Sequence, residues 1–476
     1  MQSPYFMEKS KLFRLLSSLD SKEREKCGDF LSSPIFNKSP KVQQLFEALN
    51  QAKSPPSKPL IYQQLYPNQP YKDSTIRLLM SQLSMLIEQF LVFQKFNFDH
   101  NYQHRRLLDV YTERNLHQFF YQTLSKAQTL QVNKHKKTIE DYFHQYVIDD
   151  QAYKFNVFRA HQPTNESLPK VVKELDIYYL ATKLQYCCAI LTRQNIWSVK
   201  QDIFLFDEIL FALKGRQHDD IPLIKFYYQF LLLLIEKDNA THFFTFKALL
   251  LHQESPKLSD EDLRQLYGGA INYCTLQIRG GHIEYYQHLF DLYKGMIDTR
   301  IIFVNNTYII PAHFSNIVTI GLKLGHFDWI EQFIRNNQKH LDEQSQKSVP
   351  AYSLALLFYY RQQYNEALSE LLKVEYTDYL AHIRCKKLLL QTYYELNATE
   401  PLFALVGNFR GLLKRKELLS KTNRMAYRNF VNYTIRLYRI KIRGKKSLNE
   451  LKGEIEQQHT IHDKKWLLDK IQALSN

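Results

Sequence analysis

The chain predicts an all-α fold: an α-solenoid of helical hairpins behind an N-terminal helical module. Three observations carry that expectation. First, Gly281-His282-Ile283 and Gly325-His326-Phe327 lie 44 residues apart, and each closes one apolar helical stretch and opens another. A recurrence of that length marks stacked two-helix units. Second, 13 Gly and 15 Pro leave most of the 476 residues free of breakers, and Val and Thr are sparse beside Leu, Gln, Lys, Glu and Tyr. That mix favours helices over strands. Third, the chain is 45% apolar and 14% aromatic, with 32 Tyr and 31 Phe. Such bulk fills wide helix interfaces and excludes global disorder.

Residues 1–98 predict a module of their own. Lys11 to Leu19 is a short amphipathic helix. Asp20-Ser21-Lys22-Glu23 is a helix start with its acid three residues on, and Ser32-Ser33-Pro34 ends that helix. Ser39-Pro40 reads as an N-cap and first-turn proline before Val42, Leu45, Phe46 and Leu49. Ala52 to Pro59, with three Pro and two Ser, is the best linker candidate, and Pro67-Asn68-Gln69-Pro70 is a turn. A long helix follows over about 74–96, with Ile76, Leu79, Leu83, Leu86, Ile87, Phe90 and Leu91 at helical spacing.

Residues 99–476 predict paired helices. Joints fall near Asn115, Pro163, Asn195, Asn239, Gly281, Gly325, Gln363, Asn397 and Gly444. Helix starts are expected at Asp219-Asp220 before Pro222, at Ser259 with Asp262, at Ser348 before Pro350, and at Thr399 before Pro401. Ile301 to Val304 with Asn305-Asn306 reads as a short extended segment.

In the stretch 354–374, Ala355 and Phe358 on one helix are followed by Tyr364, Ala367 and Leu371 on the next. Small residues let two helices approach and large ones fill the space beside them. This pattern resembles a tetratricopeptide repeat. The next unit offers Tyr393, Leu402 and Val406, and earlier ones Phe327, Ile330, Ile334 and Ile283, Tyr286, Phe290. The chain is thus tetratricopeptide-like over about 280–410 and generically helical-repeat elsewhere. Phe30-Leu31-Ser32-Ser33-Pro34-Ile35-Phe36-Asn37 is similar to the opening of some uncharacterised bacterial helical proteins. The repeat resemblance implies a scaffold that binds other macromolecules.

The formal charge is +15, concentrated near the end. The basic part 410–446 holds thirteen Lys and Arg against the single acid Glu417, a net of +12. On a helix over 424–443, Arg424, Arg428, Arg436, Arg439 and Arg443 share one face. Tyr427, Phe430, Val431, Tyr433, Leu437, Tyr438 and Ile440 take the other side, which Lys441 breaks, while Ile435 and Ile442 intrude on the basic one. Arg forks suit phosphates and carboxylates, so this face is the candidate site for an anionic partner. The bland reading is a solvated helix whose charges pair with neighbouring acids. A second cluster, Lys134-His135-Lys136-Lys137, reads as a loop.

Other chemistry is sparse. His100 and His104 lie four apart, but a metal needs a third ligand, and Asp99 points elsewhere on a helix. His459, His462 and Asp463 are no stronger. His282 and His326 recur at joints, which suits helix-end capping or packing. Asp149-Asp150 and Asp219-Asp220 read as helix-start acids. Five scattered Cys without a Cys-x-x-Cys pair read as reduced buried thiols, Cys187-Cys188 included. No phosphate-binding glycine loop, nucleophile elbow, zinc-protease motif or kinase signature appears. No cofactor is expected. The start carries no signal-peptide pattern, and the longest apolar run, near 226–235, is short for a membrane span.

These readings predict a cytoplasmic, non-enzymatic interaction scaffold that offers a groove to a protein or peptide partner. The alternative is a nucleic-acid-binding or regulatory protein using the Arg face of 410–446. A third class is a hydrolase or transferase whose residues form no linear motif.

Overall fold

The computed structural model describes residues 10–52, 56–158, 167–197, 201–215, 220–251, 257–375, 379–414, 419–444 and 447–475. Among these residues there are 23 helices and one two-stranded ribbon, so the chain is all-α. They divide into two compact units, Met1–His135 with Ile139–Tyr179, and Lys136–Thr138 with Leu180–Asn476.

The first unit begins with α1 (Lys11–Ser18), α2 (Ser21–Ser32), α3 (Pro40–Gln51), α4 (Lys58–Leu65) and α5 (Asp73–Phe98). Helices α1 to α4 all pack on α5, whose Ile76, Leu79, Leu83, Leu86, Ile87 and Phe90 are buried. Asp20 closes a full capping box with Glu23 at the start of α2. Ser39 stands at the N-cap of α3 but makes no side-chain cap; Pro40 opens the helix instead. The linker expected over 52–59 is partly helical, since Lys58 and Pro59 open α4; residues 53–55 lie outside the described residues. The Pro67–Pro70 turn is present, with Asn68 left-handed.

By length and composition α5 is apolar enough to cross a membrane, which exceeds the 226–235 stretch. Of its apolar window 44% is buried inside the bundle, so its inner face is the core of this unit. The expected boundary at 98/99 falls between α5 and α6 (His100–Glu113), inside the unit. With α7 (His117–Val132) and α8 (Ile139–Phe158), α6 buries a small core in which Phe120 and Phe155 stack at 3.7 Å.

A 31-residue helix, α9 (Ser167–Trp197), continues into the second unit. It passes through Asn195, so that joint falls beyond Trp197; the Pro163 joint lies outside the described residues. There follow α10 (Phe206–Leu213), α11 (Pro222–Ile235), α12 (Ala240–Leu251), α13 (Asp260–Arg279) and α14 (Tyr285–Asp298). The ribbon pairs β1 (Phe303–Val304) with β2 (Tyr308–Ile309), Phe303 opposite Ile309, across the left-handed Asn305 and Asn306. The expected extended segment is therefore real. Next come α15 (Pro311–Lys323), α16 (Phe327–Asn337), α17 (Glu343–Tyr360), α18 (Tyr364–Leu372), α19 (Tyr379–Glu395) and α20 (Thr399–Leu413). The described chain ends with α21 (Lys421–Arg443), α22 (Leu448–Gln457) and α23 (Lys464–Ser475).

Three expected helix starts shift. Ser348 and Pro350 lie inside α17, which starts at the Asp342 cap because that carboxylate accepts the Ser345 N–H. Thr399 is the first residue of α20 rather than its cap, and its hydroxyl shares a 2.8 Å hydrogen bond with Tyr438. α11 starts at Pro222, but its N-cap is Ile221 rather than Asp220, and no side chain caps it; Asp219 lies outside the described residues. Ser259 does cap α13, through the Asp262 N–H. Asp149 and Asp150 are not helix-start acids; they lie within α8, where Asp149 accepts from Lys170 at 2.8 Å and Asp150 from Lys154 at 2.7 Å.

One backbone device recurs. At Asn115, Gly281, Gly325, Gln362 and Asn397 the chain turns left-handed. Each of these residues donates its N–H three residues back, and the next residue donates five back, as His282 does to the Gln277 carbonyl and His326 to Gly321. This is the Schellman ending. It joins α6 to α7, α13 to α14, α15 to α16, α17 to α18 and α19 to α20, and the paired helices pack on each other. Close packing needs small residues there. Ala355 and Ala367 are fully buried, and a Cβ on Gly321 would meet Ile330 at 2.4 Å.

Replacing Gly325 by Ala, at φ +80°, is expected to cost about 1 kcal/mol or more. Replacing Asn397 by Gly, at φ +54°, is expected to be near neutral, because both residues tolerate that conformation. Denaturant titration of the two variants checks this; equal losses would contradict the shared geometry.

Candidate interaction surfaces

The expected Arg face lies on α21, which Ser420 caps through the Asn423 N–H. Phe430, Val431, Leu437 and Tyr438 are buried, and so is Ile435, although its spacing sets it on the basic side. Arg428, Arg436, Arg439 and Arg443 are exposed and Arg424 is half-exposed. Arg436 and Arg439 line an open groove of about 640 Å³ between α20 and α21, together with Arg410, Asn429, Asn432 and Gly407. Arg424, Arg428 and Arg443 do not line it.

The guanidiniums in the groove are held in place. Arg436 lies over the Tyr433 ring and Arg439 over Phe403, each at 5.7 Å. Arg410 donates to the Asn432 Oδ1 at 2.7 Å. Arg436 also makes a two-pronged pair with Glu454 at 2.5 and 2.7 Å, which holds that carboxyl below its usual range. The bland reading of paired charges is thus right for Arg436. No carboxylate among the described residues pairs with Arg439. Lys441 turns inward: its ammonium donates to the Tyr394 carbonyl at 3.2 Å over the Tyr394 ring, and burial lowers its pKa.

A second surface is apolar. Leu78, Met85 and Val92 recur at seven-residue intervals on α5 and are all exposed. Met85 and Val92, with Phe93, Phe96, Phe98 and Leu130, line a groove of about 1200 Å³. Exposed apolar side chains gathered along one helix face are a candidate interaction surface.

The third place is a cluster that sequence spacing did not show. Asp99, Glu140 and His144 bring potential ligand atoms within 4.8 Å of one another. His100 and His104 are not part of it. Arg105 donates to the His144 Nδ1 at 3.1 Å. That imidazole therefore carries its proton on Nε2, which faces Glu140 at 3.8 Å. A guanidinium against the ring and a proton on the outward nitrogen both oppose a second cation. The Asp99 carboxylate meanwhile accepts the Tyr102 N–H as the cap of α6.

The remaining candidates serve packing. All five thiols are free and buried, and burial pushes those of Cys187 and Cys188 up. The backbone N–H groups of His282 and His326 cap their helices, while the His326 ring stacks on Phe290 at 4.8 Å. His462 stacks on Tyr427, and Asp463 accepts from Lys387 and Gln391. Residues 134–137 are a loop, in which Lys134 pairs with Asp141 and Lys136 with Asp260.

Burial lowers the pKa of His104, His144, His288, His313 and His462; at His144 Arg105 adds to it, against Asp99 and Glu140. Below the ordinary value of 6.5 the unfolded chain then binds more protons than the folded one. Their stabilising contribution is complete above that pH and is lost as pH falls through it. Denaturation midpoints are expected to drop between about pH 7.5 and 5.5, less steeply in His144→Gln; a midpoint that rises on acidification would contradict this. Protein-family models, curated proteins and solved structures give no match to this chain, so the geometry alone carries the functional reading.

Proposed function

We propose that this chain is a non-enzymatic, cytoplasmic scaffold of tetratricopeptide-like helical hairpins that binds a protein or peptide partner. The observation that carries this reading is the repeated hairpin closure from α13 to α20, with each helix packed on its chain neighbours. Hairpins packed on their chain neighbours form a row, and a row leaves broad faces uncovered; α23 adds a longer-range contact, its Trp466 donating to the Tyr359 hydroxyl of α17 at 2.7 Å. One continuous core runs from Ala355 to Ile471 through successive hairpins, as such stacking requires.

The alternative, a nucleic-acid-binding or regulatory protein, draws on the exposed Arg428, Arg439 and Arg443. Two grooves of unlike chemistry favour protein instead. A polypeptide supplies both apolar side chains and carboxylates, whereas a phosphate backbone supplies charge alone.

Immobilised full chain is expected to retain a protein in fixed stoichiometry after nuclease treatment, and the purified partner is expected to rebind in solution. Retention of nucleic acid alone, released steeply by salt, would overturn the scaffold in favour of the alternative. The row has its own test. Leu390, fully buried on α19, replaced by Ala costs about 2–5 kcal/mol. Hydrogen exchange is expected to show lost protection in α17 to α21 while α13 and α14 keep theirs; uniform loss across these helices would contradict a row.

A further inference from the structure

We infer that the groove between α20 and α21 is the binding site for an extended acidic segment of a protein partner. This rests on the scaffold reading and names the site and its ligand chemistry. Three features of the groove point the same way.

The charge is complementary and pre-positioned. Arg439 rests on Phe403 and presents its fork without a carboxylate partner among the described residues. Arg410 is held on the far wall by Asn432. Ring-stacked guanidiniums lose little freedom on binding, so less affinity is spent on ordering them. Arg436 already holds the Glu454 carboxylate with both prongs. The groove thus shows on its own chain the kind of contact it offers a ligand.

The amides select a peptide. Asn429 donates its Nδ2 to the Thr460 carbonyl and keeps its Oδ1 as an acceptor. Asn432 accepts from Arg410 on Oδ1 and keeps its Nδ2 hydrogens as donors. One turn apart on α21, the pair offers an acceptor and a donor. A peptide unit supplies the matching N–H and C=O. A DNA backbone has acceptors only and leaves the Asn429 oxygen unmatched, and an RNA backbone adds the 2′-hydroxyl as its sole donor.

The wall is open. Gly407 lies exposed in the middle of α20, and a Cβ there would meet no heavy atom within 4 Å. Val406 and Ile435 add apolar lining, which suits a side chain between two acids.

The test uses the full chain and a fluorescein-labelled ten-residue peptide alternating Glu, Leu and Gly, read by anisotropy. Its Gln counterpart and a ten-nucleotide oligouridine serve as comparisons. The Glu peptide is expected to bind more tightly than both. Arg410→Gln and Arg439→Gln are expected to weaken it about tenfold each, as for a lost charge-assisted hydrogen bond. Gly407→Leu is expected to block the groove while thermal melting stays unchanged or rises, since a helix-interior glycine is replaced. Glu454→Gln frees Arg436 and is expected to tighten binding several-fold, a gain that a merely structural role does not produce. Equal binding of the Gln peptide, tighter binding of oligouridine, or a fall in affinity on Glu454→Gln overturns the proposal. If the Arg variants still retain the protein partner of the full chain, the groove assignment fails and the scaffold stands; if no protein is retained by any form, the scaffold itself fails.

Discussion

The structure depends on how each hairpin satisfies the backbone at its bend. A helix end leaves carbonyls unpaired, and a helix start leaves N–H groups unpaired. The five reversals meet most of that need with two residues. The left-handed residue and its successor donate back to the last turn, and at Leu116, His326, Gln363 and Ala398 the successor is also the N-cap of the next helix. No slack chain remains between such helices, so they must lie side by side from their first residue. The interval between Gly281, Gly325, Gln362 and Asn397 is then set by helix length and by the connection to the next pair.

This explains which parts of the fold were legible. A left-handed position favours Gly or Asn, so four of the five reversals stood out as composition. Gln362 did not, because nothing in a glutamine predicts that conformation; the joint expected near Gln363 lies one residue beyond it. The Ser348-Pro350 signal misled for a physical reason. Local cap rules weigh a few residues, whereas α17 is held by its Asp342 cap and by burial of Pro350, Ser353 and Leu357 along one side. Packing outweighs one missing ladder hydrogen bond. Asp149 and Asp150 misled similarly: their partners Gln145, Lys154 and Lys170 lie within or beyond the same helix, and only the fold shows which is close.

The site was legible in its periodicity and silent in its partners. Helical spacing placed Arg436 and Arg439 on one face, but Phe403, Glu454 and Arg410 come from α20 and α22 and could not be paired with them from sequence. The same holds for the far end of the chain. Trp466 on α23 donates to the Tyr359 hydroxyl at 2.7 Å and packs against Tyr394 and Phe430. Lys470 pairs with Glu395 and Lys387 with Asp463. These contacts bring α23 onto α17, α19 and α21, so the many aromatic residues serve as wedges whose hydroxyl and indole groups find partners at the rim.

Clustered basic charge is therefore not one property. Lys441 sits where the peptide carbonyls of α19 end, so its cation complements that helix terminus while its stem fills the core. Arg436 is neutralised by Glu454. Arg439, a turn further along the same helix, rests on the Phe403 ring and has no carboxylate partner among the described residues. The three lie within six residues of one another, yet one holds a helix, one holds a neighbour and one faces the groove. Their environments, set by helices that pack around α21, decide which charge remains available to another molecule. Net charge over 410–446 measures none of this; the geometry of a single groove does.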